Sequence, residues 1–78
     1  MHYVMAAKYV RDYKLAITFE DGRTKEVDLT PYLNGEIFEP LKDVEYFKKV
    51  RVNSDMETIC WDNGADLAPE FLYQIGRP

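Results

Sequence analysis

The chain has one cysteine and one histidine among its 78 residues. A lone Cys60 closes no intrachain disulfide, so a disulfide-stapled secreted scaffold is excluded and the domain must fold on its apolar core alone. His2 lies beside the N-terminus, where chains usually fray, so a Ser-His-Asp or Cys-His site has no well-placed base. No Cys/His cluster has zinc-ligand spacing, and neither a Walker loop nor a Gly-x-Gly-x-x-Gly turn is present to cradle phosphate. Apolar runs are short as well. Nothing approaches the ~18 consecutive apolar residues of a membrane-spanning helix, and Met1 to Val10 has neither the basic segment nor the apolar stretch of a signal peptide, so cytoplasmic residence is the expectation. Cations are also in deficit: ten Lys and Arg against fourteen Asp and Glu give a formal charge of −4, unlike a basic nucleic-acid binder.

What is present is a chain that is 46% hydrophobic and 14% aromatic, long enough for a single domain spanning residues 1–78. Its charge is unevenly placed. Met1 to Arg51 carries nine cations and nine acids and is neutral, whereas Val52 to Pro78 carries Asp55, Glu57, Asp62, Asp66 and Glu70 against Arg77 alone. The whole net charge sits in the last third, and a surface of one sign steers an oppositely charged partner.

Residue patterning predicts an α+β fold in the order βββ-α-ββ with a short terminal helix. Tyr3 to Val10 is rich in strand formers, and Leu15, Ile17 and Phe19 alternate toward one face of the next strand. Asp21-Gly22 is a hairpin signal, and Thr24 to Leu29 returns with Val27 and Leu29 inward, giving a small antiparallel meander. Thr30 is expected to cap a single helical turn begun by Pro31, and Asn34-Gly35 to stop it. Leu41, Val44 and Phe47 then read as one stripe of an amphipathic helix of two to three turns, the main helix, packed on one sheet face. Lys49 to Asn53 and Met56 to Trp61 form a second hairpin, and Pro69 opens the last helix, to about Gln74.

The most specific local feature is Trp61-Asp62-Asn63-Gly64-Ala65-Asp66-Leu67-Ala68-Pro69. Its acids do not fall in the register of a calcium loop. Structurally, Asn63-Gly64 turns the chain, Asp66 bonds amides near the helix start and Trp61 packs on the sheet. Functionally, Trp61, Asp62, Asp66 and Glu70 make a candidate surface for a basic partner protein, since aromatic residues are enriched in interfaces. Lys48, Lys49 and Arg51 form a basic counter-patch, read either as complementing the negative end of the helix dipole or as a candidate anion contact. Cys60 has no cation among its chain neighbours and reads as a packed thiol. Carboxylates are plentiful, but no spacing marks out a catalytic pair, so no catalytic residue and no cofactor is assigned.

Tyr13-Lys14-Leu15, Phe19-Glu20-Asp21-Gly22, Val27-Asp28-Leu29, Pro40-Leu41-Lys42-Asp43, Val50-Arg51-Val52 and the Trp61 to Pro69 block closely resemble the bacterial domain of unknown function 2442 family over nearly the whole chain. Relatives commonly have Pro where this chain has Asp62. The resemblance implies a small antiparallel sheet with a helix packed on it. Some longer relatives append a helix-turn-helix domain that is not found here, and some carry a molybdopterin-guanine-dinucleotide label that no motif of this chain supports. Family members are often encoded beside a second small domain, of the 4160 type, in an arrangement like a toxin-antitoxin module. The expected function is therefore a non-enzymatic protein-protein interaction module, the antitoxin-like partner of a neighbouring small protein. A small-ligand binder or carboxylate-dependent hydrolase is the alternative, and nucleic-acid contact through Lys48, Lys49 and Arg51 is a third. A homodimer by edge or face pairing is compatible with so small a sheet.

Overall fold

The computed structural model describes residues 1–78. Strands β1 (Val4–Arg11), β2 (Lys14–Phe19) and β3 (Thr24–Asp28) form an antiparallel sheet in that order. Asp12, at φ 48°, and Gly22, at φ 87°, supply the left-handed turns between them. The alternation of β2 is realised as expected: Leu15, Ile17 and Phe19 are buried, as are Val27 on the returning strand and Leu29 just past its end. Strand β1 breaks that rule twice. Its register against β2 shifts between Val4 and Ala6 and again between Tyr9 and Arg11, leaving Met5 and Val10 as extra, exposed residues.

The connection after β3 is built from single turns. Thr30–Tyr32 is a 3-10 turn, but Thr30 does not cap it: its amide and hydroxyl both donate to Asp28 Oδ1, at 3.0 and 2.7 Å. The predicted main helix is also shorter than expected. Glu39–Lys42 is a 3-10 turn and only Val44–Phe47 is α-helical, here α1. Between them Asp43 is extended, at ψ 112°, and its carboxylate accepts from the Glu45 amide. Asp43 thus starts a new turn rather than continuing the old one. Leu41 and Phe47 are nonetheless buried on one side of this broken segment.

Strands β4 (Arg51–Asn53) and β5 (Thr58–Cys60) pair as the second hairpin. It is joined to the first sheet by the Val4 amide, which donates to Glu57 O at 2.9 Å. Helix α2 (Pro69–Ile75) is the longer helix of the molecule and lies against β3. Lys25 Nζ donates to Tyr73 O in its last turn at 3.0 Å and sits 3.7 Å from the Tyr73 ring centre. The chain then passes the outer edge of β3, where Glu26 and Arg77 exchange two backbone hydrogen bonds of 2.8 and 2.9 Å. One apolar cluster, from Val4 through Leu72, unites both sheets, the broken helix and α2. The architecture is a mixed α/β one, with antiparallel sheets of three and two strands, and no helix is long and apolar enough to cross a membrane.

Candidate functional site

The Trp61 block is a tightly cross-bonded turn. Trp61 has 1% of its surface exposed, and its indole N–H donates to Phe47 O at 3.0 Å. Its backbone N–H donates to Ala65 O at 2.9 Å, and Gly64, at φ 90°, returns a 3.0 Å bond to Trp61 O. Asn63 ties the turn in two directions: Oδ1 accepts from the Ala65 amide at 3.1 Å, and Nδ2 donates to Ile37 O at 2.8 Å. The indole therefore packs within the core. It shapes the block from beneath while the neighbouring carboxylates face solvent.

Those carboxylates fall into separate settings. Asp62 is exposed and paired with Arg51, Oδ1 to Nη2 at 3.2 Å. Asp66 is exposed, and its backbone bridges Cys60 as a third strand position beside β5; it caps no helix, since Ala68 occupies the N-cap of α2 without a side-chain bond. Glu70, in the first turn of α2, is turned toward the N-terminus. Its carboxylate accepts from the His2 amide at 2.7 Å and lies 3.1 Å from His2 Nδ1. The contact with the His2 ring and then the His2 amide bond hold Glu70 below its ordinary value of 4.5.

His2 is not a frayed residue. Its ring stacks on Tyr73 at 3.5 Å and Nε2 is 3.9 Å from Asp21 Oδ2. The Tyr73 hydroxyl donates to the same Asp21 oxygen at 2.8 Å, and Asp21 Oδ1 accepts from the Arg23 amide at 3.0 Å. The Arg23 amide and then the Tyr73 hydroxyl hold Asp21 below 3.8, and the Asp21 bond in turn raises Tyr73 above 10.0. No sequence spacing announces this cluster, because its members come from the N-terminus, the β2–β3 turn and α2.

The basic trio is largely neutralised. Arg51 is spoken for by Asp62, Lys48 Nζ is 3.2 Å from Glu45, and Lys49 alone is without an ion-pair partner. The β4–β5 register also sets Arg51 opposite Cys60, a cation that the chain neighbours of Cys60 do not supply. Cys60, first, and Asp62 raise the Arg51 pKa. The thiol itself is buried, which keeps it from acting as an accessible nucleophile.

Two concavities exist. One, of about 410 Å³, lies on the outer side of β2 and β3 among Lys14, Glu26, Asp28, Tyr32, Ile75 and Arg77. The other, of about 210 Å³, lies where Val4 and Met5 meet Val52 and Glu57. The His2 cluster, which has the groups for proton transfer, lines neither. No curated protein and no solved structure matches this chain. The family described as Protein of unknown function (DUF2442) matches residues 4–78, and with its meander, second hairpin and Trp61 turn in place the chain belongs to that family.

Proposed function

We propose that the protein is a non-enzymatic interaction module of the bacterial cytoplasm that binds a basic partner protein through the carboxylates of its C-terminal third, as the antitoxin-like member of a pair. The observation that carries this reading is the segregation of charge: five acids and one cation lie beyond Arg51. Asp55, Glu57, Asp62 and Asp66 are all exposed, and of these only Asp62 has an ion-pair partner. They flank the ends of a three-residue strand, so they lie within about 10–20 Å of one another by strand rise, a spacing over which their fields add at low salt. Trp61 contributes by fixing the turn that presents Asp62 and Asp66, and Glu70 borders the patch while held by His2.

Co-expression with the product of the adjacent gene, followed by size-exclusion chromatography at low and raised salt, tests the pairing. A complex is expected at micromolar concentration that weakens with salt and with the combined Asp62→Asn and Asp66→Asn changes. No complex at low salt sinks it. A small-ligand reading is favoured by one observation, the cleft of about 410 Å³ with cations Lys14 and Arg77 facing carboxylates Glu26 and Asp28. Nucleic-acid contact draws little support from a trio in which Arg51 and Lys48 already have acidic partners.

A further inference from the structure

We propose that the outer face of the three-stranded sheet is a self-association surface, covered by a second copy of this chain turned about a two-fold axis that runs along β2. The residues on that face follow from the strand register. Cross-strand partners share a face, so Lys8, Ala16 and Glu26 form one row and Arg11, Lys14 and Asp28 the next. Ala6, Thr18 and Thr24 form the third. The apolar core packs on the opposite face, against Leu15, Ile17 and Val27, and Ala6, Lys8, Thr24 and Glu26 are left exposed.

The charges on this face are sorted by strand. The two cations of β1, Lys8 and Arg11, have no ion-pair partner anywhere in the molecule. The two carboxylates of β3 are Glu26 and Asp28, bordered on their outer side by Arg77, which bridges Glu26 and lines the same cleft without coming within ion-pair distance of either. Glu26 meets only Lys14, at 4.0 Å, and Asp28 meets no cation within ion-pair distance. Hydrogen bonds from the Thr30 hydroxyl and then its amide hold Asp28 below its ordinary value of 3.8. Within the three strands, positive β1 and negative β3 therefore flank a central strand whose outward residues are Lys14, Ala16 and Thr18, with Arg77 beyond the outer edge of β3.

A two-fold axis along β2 exchanges left and right while preserving height along the strand. It sets β1 of one copy over β3 of the other, so that Lys8 faces Glu26 and Arg11 faces Asp28, each contact occurring twice. At the centre Ala16 meets its own copy, and short side chains let the sheets approach. Thr18 and Thr24 join their hydroxyls to each other at 2.9 Å, so one of their two donor protons is already paired when the face is covered. Lys14 also approaches its copy near the axis, where its own Glu26 offsets part of the charge. No other arrangement of this face on itself pairs both cations with both carboxylates: an axis across the strands lays β1 on β1 and β3 on β3.

Three strands about 4.8 Å apart, six residues long, span roughly 300 Å², well below the ~800 Å² per partner of a standard interface. The dimer is accordingly weak and salt-sensitive. This surface is separate from the acidic C-terminal third, so the proposal stands or falls independently of the partner reading.

Sedimentation velocity of the full chain, from about 10 µM to about 1 mM, supplies the test. At low salt the mass is expected to rise from 9.2 kDa toward twice that value, and to return to monomer at high salt. Lys8→Glu alone and Glu26→Lys alone each place like charges in both contacts, and each is expected to raise the dissociation constant about tenfold or more. Mixed in equal amounts, the two variants restore both contacts, and a heterodimer is expected where neither variant associates alone. Recovery on mixing also shows that both variants are folded. A wild-type chain that stays monomeric throughout at low salt overturns the proposal. So does association of the single variants at wild-type strength, which would place the contact on a sheet edge or on another surface, and so does a mixture that does not recover.

Discussion

Among the four glycines, Gly76 has the least room for a side chain. A Cβ built on it would lie 2.8 Å from Lys25 Cβ and 3.0 Å from Leu72 O, with backbone on one side and the root of a side chain on the other. Its own conformation, at φ −69°, suits any residue, so the constraint is contact with β3 rather than torsion. Gly76→Ala is expected to destabilise the fold by about 1–3 kcal/mol through overpacking, read as a lowered midpoint in urea unfolding. Trp61 is constrained from the other direction. Trp61→Phe removes one of two donors to Phe47 O, the Val50 amide at 3.2 Å remaining, and leaves a smaller ring in a fully buried place, so a loss of about 0.5–1.5 kcal/mol is expected from the hydrogen bond, with the space left by the ring adding to it. If the indole only shapes the turn, binding of a basic partner by the folded variant stays within about twofold of wild type. A much larger loss, measured by titration calorimetry, would return Trp61 to the contact surface. Sequence alone marked this residue as important without deciding between core and contact, because an indole serves either role and burial is a property of the assembled molecule.

At the scale of elements, strict alternation was the most legible signal. Leu15, Ile17, Phe19, Val27 and Leu29 all face inward as their spacing predicts, since an unbroken period of two leaves a half-buried strand no other choice. Strand β1 was legible as a strand but not by face. The extra residues Met5 and Val10 each shift the phase by one, so no single alternation runs from Val4 to Arg11. The Leu41, Val44, Phe47 stripe was read as a helix of two to three turns, yet its interval of three matches 3-10 geometry as well as α geometry. Asp43 decided the outcome by bonding the Glu45 amide and breaking the segment in two. The acidic patch was visible as composition. The His2, Asp21, Glu70 and Tyr73 cluster was not, because contacts over 52 and 68 positions of sequence leave no local trace.

Across the whole molecule, that cluster fastens the N-terminus and the β2–β3 turn to α2, and its two carboxylates link the fastening to pH. Asp21 and Glu70 are both held below their ordinary values of 3.8 and 4.5. Groups with a depressed folded pKa stabilise the fold above their unfolded values and lose that contribution as pH falls through the folded ones. The melting temperature is therefore expected to decline as pH drops below about 4.5, and to decline less steeply in the combined Asp21→Asn and Glu70→Gln variant. Identical acid slopes for the two proteins, followed by circular dichroism, would show that the fastening adds no pH dependence. Both carboxylates are exposed, so the difference is expected to be small.

The outer edge of β3 closes the molecule in a further sense. Because Glu26 has its backbone N–H and C=O already bonded to Arg77, the middle of that edge offers no free template for a foreign strand. On the opposite side of the sheet, the bulges of β1 bend a second edge out of register. Strand addition is the kind of contact that repeats without limit, each new strand exposing the next edge, whereas two faces joined about a two-fold axis exhaust one another. The bonded Glu26 edge and the bulged β1 edge thus both disfavour strand addition, whereas the two-fold contact proposed for the face is a kind that stops at two.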